Sequence, residues 1–477
     1  TELLFPNNIL KADSVLGRMV TDIPEEDWTD QVQIIGWLYQ YYNTELNGQV
    51  YDGNMSKSRI PKELLPAATT IYTPDWAVRY MVENSLGRIW IEGHPDDELK
   101  SGWKYYLDEN EQEPEVQAQL DKIHAEYATH KPQDIKIIDP CMGSGHILVY
   151  AFDVLIQIYK KSGVSERDAA QSILQNNLYG LDIDDRASQL AYFAVMMKAR
   201  QYDRRIFFRG IQPHVYAIVE SNGLDNITID YFTNNDPKLK KVFGTLVNEL
   251  RNAKEYGAIL NILPVDFTVL YDRVEEVRED ISLYRENVLN TILPLIRITE
   301  VMTLKYDVVV TNPPYLGSSR FSPLLDKYVK ENYADVKNDL SMVMYKSAIC
   351  NFAKKEGYIA FITTSSWMFL SSFEKLRSYL NSNVSLYSLV DFGTELFDGK
   401  VGHNPIVSWI TRRVCLDYKM TAIRLVDYCY SRRDEKEPEF FNPKNRYTAL
   451  QSNFSKIPGS PVAYWAGKFI MDDFEKG

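Results

Sequence analysis

Cysteine is scarce in this chain: four among 477 residues, Cys141, Cys350, Cys415 and Cys429. None falls in a Cys-x-x-Cys pair and no His–Cys group has zinc spacing, so the sequence offers neither a disulfide framework nor a zinc site. Reduced, partly buried thiols of a cytoplasmic protein are expected. Long apolar runs are missing too. None approaches the ~20 residues a membrane span needs, and the first residues show no basic stretch followed by an apolar one. No membrane partner and no metal is expected. Internal repeats and low-complexity tracts are also missing. Net positive charge is lacking, the balance being −12. The deficit is uneven. The first 130 residues carry 23 acidic against 10 basic side chains, about −13, in stretches such as TDIPEEDWTD and LDENEQEPE. The remainder is close to neutral, with basic clusters such as RQYDRRIFFRG. Such a chain lacks the overall field of a strong nonspecific nucleic-acid binder, yet a neutral region with a basic patch can touch a phosphate backbone.

What is present is an ordinary soluble composition, 45% hydrophobic and 25% charged, in a length sufficient for two or three domains. Residues 1–65 read as a helical region. Ile34, Ile35, Leu38, Tyr41 and Tyr42 recur at helical spacing and predict a packing face. Residues 66–133 read as one helix followed by an acidic insertion. Thr73 is expected to cap that helix with Pro74 at its first position, and Val78, Met81, Val82 and Leu86 give its apolar stripe. The stretch 91–133 reads as a solvated helical insertion. From 134 the pattern changes. DIKIIDP, CMGSGH and ILVYAFDVLIQIYKK spell strand, glycine turn and helix, and NNLYGLDIDD with RASQLAYFAVMMKAR repeats strand and helix. Two such units predict a doubly wound, mostly parallel α/β sheet. It is expected to span 134–430, with an insertion over about 211–300 holding a short strand at GAILNILPVDF and a long helix at DRVEEVREDISLYRENVLNTILPLIRI. NPIVSWITRRV and TAIRLVDY predict an antiparallel hairpin at one edge. Residues 431–477 read as the start of a further extension.

The chemistry gathers at three strand ends. Asp139 ends the first strand, and Gly143 and Gly145 let backbone approach a ligand ahead of a helix with free N–H groups. Asp182 ends the second strand, where a carboxylate can accept from both hydroxyls of a ribose, with Ile183 placed to lie against an adenine ring. The alternative for Asp182, capping the next helix, is a role Asp184 or Asp185 could fill. The loop lacks the third glycine of a dinucleotide site and no phosphate-binding lysine follows. An adenosine-containing ligand without phosphates, S-adenosyl-L-methionine, is the cofactor expected. The third end is Asn312-Pro313-Pro314-Tyr315. Two prolines fix the backbone and remove two donors. The Asn312 side-chain oxygen and the Pro313 carbonyl then form a pair of acceptors suited to an NH2 group on a planar ring. Hydrogen bonds to both its hydrogens push the nitrogen towards tetrahedral geometry and free its lone pair for attack on a methyl sulfonium. Tyr315 can stack on the same ring.

In combination, IYTPDWAVRYMV, DPCMGSGH, YGLDID and VVTNPPY resemble the gamma class of methyltransferases that act on adenine N6 in DNA. KNDLSMVMYKSA, GYIAFITTSSWM and LVDFGTELFDG are similar to that family's downstream elements. The resemblance covers about residues 65–412, and GWLYQYY, IPKELLPAATTIYTPDWAVRYMVENSLGRIW and NPPYLGS look like the methyltransferases of BREX phage-defence systems. It implies a Rossmann-like methyltransferase sheet. It also implies that Thr73 contacts the methionine carboxylate, that Asp139, Pro140, Gly143 and Gly145 line the methionine end, and that Asp182 and Ile183 hold the adenosine. It further implies that Asn312, which would also border the cofactor, and Pro313, Pro314 and Tyr315 hold a target adenine swung out of the duplex. Double-stranded DNA and other BREX proteins are the implied partners. The family's acidic residue that contacts the cofactor's adenine amine falls within 211–305, with Asp266 as the candidate. In the continuation LGSSRF, a flap over the base with Arg320 near a phosphate is expected. The chain starts at Thr1 and leaves little room for a target-recognition domain, so it is expected to be the core of a longer protein, with weak sequence-specific DNA binding on its own. The rival readings are a protein-glutamine or RNA methyltransferase, and a cofactor-binding regulatory subunit of a defence complex.

Overall fold

The computed structural model describes residues 11, 13–22, 24, 33–52, 58–397 and 403–467. Its centre is one nine-stranded sheet in the order β3-β2-β1-β4-β5-β7-β6-β8-β9. The strands are β1 (Ile137–Asp139), β2 (Leu178–Asp182), β3 (His214–Ala217), β4 (Tyr306–Thr311), β5 (Ala353–Thr364), β6 (Ser385–Gly393), β7 (Ile406–Arg412), β8 (Lys419–Arg424) and β9 (Arg446–Leu450). β1 to β5 are mutually parallel, and β7 runs antiparallel between β5 and β6. β4, β6 and β7 are buried along their whole length, as runs such as YDVVV and IVSWI require of strands covered on both faces.

The helices that position the site are α1 (Gln33–Asp52), α2 (Asp75–Val82), α3 (Pro114–Tyr127), α4 (His146–Lys161), α5 (Asp185–Tyr202), α6 (Phe267–Glu279), α7 (Leu293–Thr303), α8 (Leu340–Ser347) and α9 (Glu374–Asn383). α4 and α5 follow β1 and β2 directly and pack on each other. α5 buries Ala187, Ala191, Ala194 and Ala199, small side chains that allow this close approach.

The doubly wound, mostly parallel sheet matches the sequence reading, and several details differ. The two segments read as one hairpin are both strands, but they do not pair with each other. β7 enters the sheet between β5 and β6, and β8 lies parallel to β6 with β9 antiparallel beyond it, so β8 and β9 form the edge pair. The stretch taken as an insertion holds β3, which completes the edge beside β2. GAILNILPVDF is not a strand; Gly257–Ile259 form a short 3-10 turn and the following residues are irregular. The long helix breaks after Glu279, and α7 starts with Pro294 in its first turn. The acidic stretch 91–133 is only half solvated: Leu99, Trp103, Tyr105 and Leu107 are buried, as are Val116, Leu120, Ile123 and Tyr127 along one face of α3. On α1, Tyr41 and Tyr42 are 75% and 60% exposed, so they form no packing face; Arg186 instead lies over the Tyr42 ring. The side chains of Ile34, Ile35 and Leu38 lie outside the described residues.

Candidate active site

The carboxyl ends of β1, β2 and β4 open into one cavity, about 1130 Å³ with the open space at its mouth included. Thr73, Asp139, Pro140, Gly143, Asp182, Ile183, Asn312 and Pro314 line it; Gly145, Pro313 and Tyr315 are not among its lining residues.

The turn after β1 is held from both sides. Met142 donates its N–H to the Leu181 carbonyl (3.0 Å), and Gly143 donates to Asp182 Oδ2 (2.9 Å). Gly145 precedes α4 with φ +86°, and a Cβ there would come within 3.0 Å of Ala191 on α5. Only glycine satisfies both the dihedral and the contact. Asp139 is 1% exposed and accepts from the Thr311 hydroxyl (2.6 Å) and the Cys141 N–H (3.1 Å), which ties the ends of β1 and β4 together. Burial pushes its carboxyl up to about 7. Asp182 accepts from Gly143 through one oxygen and from the Asp184 N–H (2.9 Å) through the other, leaving one lone pair on each for a ligand. Burial raises it to about 6, against the lowering by those two donors. Capping of α5 falls to Asp184, whose side chain accepts from the Arg186 N–H, so Asp182 is not needed for that role.

Thr73 does not cap a helix. α2 begins at Asp75 with Pro74 as its cap residue, and the Thr73 hydroxyl accepts from Asn312 Nδ2 at 3.0 Å. Asn312 Oδ1 is left buried with no hydrogen-bond partner. Two prolines follow, and Tyr315 donates its hydroxyl to the Ile362 carbonyl (3.1 Å), which fixes its ring beside β5.

Three groups of lining residues escaped sequence reasoning. Gly36 and Tyr39 come from α1. A Cβ on Gly36 would meet Ser144 Oγ at 2.8 Å and the Tyr72 ring at 3.2 Å, so glycine lets this helix close against the glycine turn. The Tyr39 hydroxyl donates to Asp184. Tyr72 and His146 stack with ring centroids 4.9 Å apart, and His146 Nε2 lies 3.4 Å from Asp75 Oδ1. Burial works against ionisation of Asp75, but His146 and Arg79 hold its carboxyl below the usual range. Glu255, 8% exposed, comes from the region between β3 and β4 and accepts from the Ser322 hydroxyl. It is the acidic residue that the region brings to the cavity. Asp266 lies elsewhere, capping α6 and paired with Lys238 at 3.1 Å. Arg320 is not placed for a phosphate either. It lies over the Tyr51 ring and donates to the Val50 and Ser58 carbonyls. Its segment is bound to the 338–340 stretch through Ser318 N–H to Asn338 and Leu340 N–H to Leu316, so it is no free flap.

Residues 176–397 match the family model described as Eco57I restriction-modification methylase, and residues 111–227 match that of MmeI, DNA-methyltransferase domain. Along 100% of its length the chain is 37% identical to the adenine-specific methyltransferase BrxX of Escherichia coli O9:H4 (strain HS), covering 41% of that protein. Along 96% of its length it is 36% identical to the adenine-specific methyltransferase PglX of Lacticaseibacillus casei (strain Zhang), covering 39% of it. A solved structure of the ATP-dependent Type ISP restriction-modification enzyme LlaBIII bound to DNA is a distant likeness, with 12% identity and a TM-score of 0.46 over 84% of this chain and 23% of that one. The chain thus spans about two fifths of the curated relatives it matches. Along nearly its whole length the chain is therefore similar to the adenine-specific methyltransferases BrxX and PglX.

Proposed function

We propose that the chain carries the catalytic centre of an S-adenosylmethionine-dependent enzyme that methylates adenine N6 in double-stranded DNA, as the modification component of a BREX phage-defence system. The observation that carries this is Asn312: its Oδ1 is a buried acceptor without a partner, fixed through its own amide nitrogen to Thr73, at the rim of a cavity whose far strand ends in Asp182. An orphaned acceptor beside a glycine turn and a strand-end carboxylate is the donor and acceptor set that a methyl donor and an amine substrate require.

In this reading Asp182 accepts from the ribose hydroxyls and Ile183 lies on the adenine ring. The buried Glu255 replaces Asp266 as the acceptor for the cofactor's adenine amine. Thr73, Asp139, Pro140, Gly143 and the wall behind Gly145 hold the methionine end. Bound there, S-adenosylmethionine supplies an electrophilic sulfonium methyl. Asn312 Oδ1 and the Pro313 carbonyl accept the two hydrogens of the target amine, Pro314 keeps that backbone rigid, and the Tyr315 ring stacks on the base. Two accepted hydrogen bonds raise the nucleophilicity of the nitrogen, so no strong general base is needed, and the proton leaves after transfer. The base must leave the duplex to reach Asn312. The similarity to the adenine-specific methyltransferases BrxX and PglX supports adenine as the substrate.

The test is transfer of label from radiolabelled S-adenosylmethionine to DNA, RNA or protein by the full-length enzyme, with Asn312→Ala in parallel. Label in DNA that disappears in the variant is expected. Label only in RNA or protein, or cofactor binding with no transfer, overturns the reading.

A further inference from the structure

The turn that leaves β5 presents two large apolar side chains to solvent. Phe369 is 41% exposed and Leu370 53%, and Trp465, 42% exposed, backs Phe369 with ring centroids 5.5 Å apart. Exposed apolar groups are ordinary when scattered; three gathered at one place mark a contact surface. This turn is firmly held. Arg377, 3% exposed, donates from Nη1 to the carbonyls of Trp367 (2.9 Å) and Leu370 (2.8 Å), and from Nε and Nη2 to that of Gly459 (2.9 and 2.7 Å). The Val462 N–H adds a bond to the Met368 carbonyl at 3.0 Å. A buried guanidinium devoted to main-chain carbonyls fixes the tip in advance, so little ordering cost remains when it binds.

Its position names the partner. Thr311 of β4 is level with Phe361 of β5, so Asn312 and this turn leave the same edge of the sheet. Tyr315 reaches β5 at Ile362 (3.1 Å), and Asn338 Nδ2 reaches the Ser372 carbonyl (3.4 Å). Lys337 and Lys375, neighbours of these segments in the chain, are exposed. An apolar tip with nearby lysines beside a target-base site suits duplex DNA, whose phosphates flank an apolar stack.

We propose that Phe369 and Leu370 form a wedge that enters the base stack next to the extruded adenine and holds the gap open, with Trp465 behind it. This rests on the reading of the chain as a DNA adenine methyltransferase. Filling the gap slows return of the base, so the wedge raises the fraction of time that the amine spends at Asn312. A single-stranded substrate, already unstacked, has no use for it.

The full-length protein and its Phe369→Ala/Leu370→Ala variant are compared on duplex oligonucleotides and on the same strands unpaired. Both side chains are exposed, so the melting temperature of the variant should be unchanged. Methyl transfer to duplex is expected to fall about tenfold or more, with transfer to single strands unaltered. Unchanged transfer to duplex, or an equal loss on both forms, overturns the wedge and leaves the methyltransferase reading intact. A second measurement needs no turnover. Wild type should prefer a duplex with an abasic gap over an intact one, and the variant should lose that preference. If wild type methylates neither form of DNA, the functional reading fails, and the gap preference alone decides the wedge: its absence overturns it.

Discussion

Thr73 and Asn312 stand 239 residues apart in sequence and share a 3.0 Å hydrogen bond in which the amide nitrogen donates. The bond orients Asn312 so that Oδ1 remains a buried acceptor. It also leaves the Thr73 hydroxyl proton free to point into the cavity. One residue thereby couples placement of the two proposed substrates.

Removing the hydroxyl should therefore damage both. Thr73→Val is expected to weaken S-adenosylmethionine binding and to lower kcat, each by about tenfold, from loss of one hydrogen bond to a charged group and one to Asn312. Thr73→Ser should restore both. Asn312→Ala should separate them: kcat down by about a hundredfold or more, with cofactor affinity little changed. Calorimetry together with initial rates checks the set. A Thr73→Val effect confined to one of the two quantities breaks the coupling.

The carboxylate proposed for the ribose gives a pH signature. Burial raises Asp182 to about 6, and ribose hydroxyls donate best to its ionised form. Ligand binding then favours loss of the proton, so affinity should rise as pH climbs from 5 through about 6 and level off by 7.5. Asp182→Asn should bind more weakly by about 1–3 kcal/mol and lose the part of the rise centred near 6, leaving only what Asp139, raised by burial to about 7, contributes. Titration calorimetry at constant ionic strength decides; a wild-type profile of the same shape as the variant's removes Asp182 from the ribose.

The parts of this site that could be read from sequence are those carried by short strand-to-turn motifs. Asp139, Asp182 and Asn312 each end an apolar run, and a parallel sheet must bring such ends to one edge. Pairing was harder. β7 and β8 are unmistakable strands, yet alternation of apolar residues does not say which neighbour a strand takes, and proximity in the chain suggested a hairpin that the sheet does not form. β3 stayed hidden because it has four residues, of which only Val215 is buried. Glu255 and Gly36 reach the cavity from segments whose local patterns point only to helix or turn. The spacing of Tyr41 and Tyr42 predicts a packing face, but spacing fixes a face and not what covers it.

A second titration concerns folding. Glu83 is 1% exposed and accepts from the Tyr105 N–H and the Tyr150 hydroxyl, both at 2.6 Å. Burial outweighs these bonds and raises it to about 7 from an ordinary 4.5. The folded state then holds the proton more tightly than the unfolded one, so this group costs stability as pH rises from about 4 to about 7 and nothing more above that. Glu83→Gln keeps an acceptor for Tyr105 and carries no charge. Its stability relative to wild type should be near equal at pH 5 and should gain with pH, by at most about 3 kcal/mol at pH 8. Urea unfolding at both pH values measures it; a difference that does not change with pH contradicts the assignment.

The last prediction concerns the close approach of α4 to α5. Gly145 has φ +86°, and its missing Cβ would fall 3.0 Å from both Cα and Cβ of Ala191. Gly145→Ala therefore meets two separate penalties, a left-handed backbone worth about 1–2 kcal/mol and a helix–helix clash. It should destabilise the protein by about 2–4 kcal/mol and weaken cofactor binding, because the turn that positions the Gly143 N–H shifts with α4. Ala191→Gly on its own should cost about 1 kcal/mol from helix propensity. Combining them removes the contact with Cβ of Ala191 but neither the contact with its Cα nor the dihedral, so the double variant should be somewhat more stable than the sum of the single losses predicts, yet less stable than wild type. Strict additivity in the thermal or urea unfolding of the four proteins would show that the Ala191 methyl adds nothing to the penalty at Gly145.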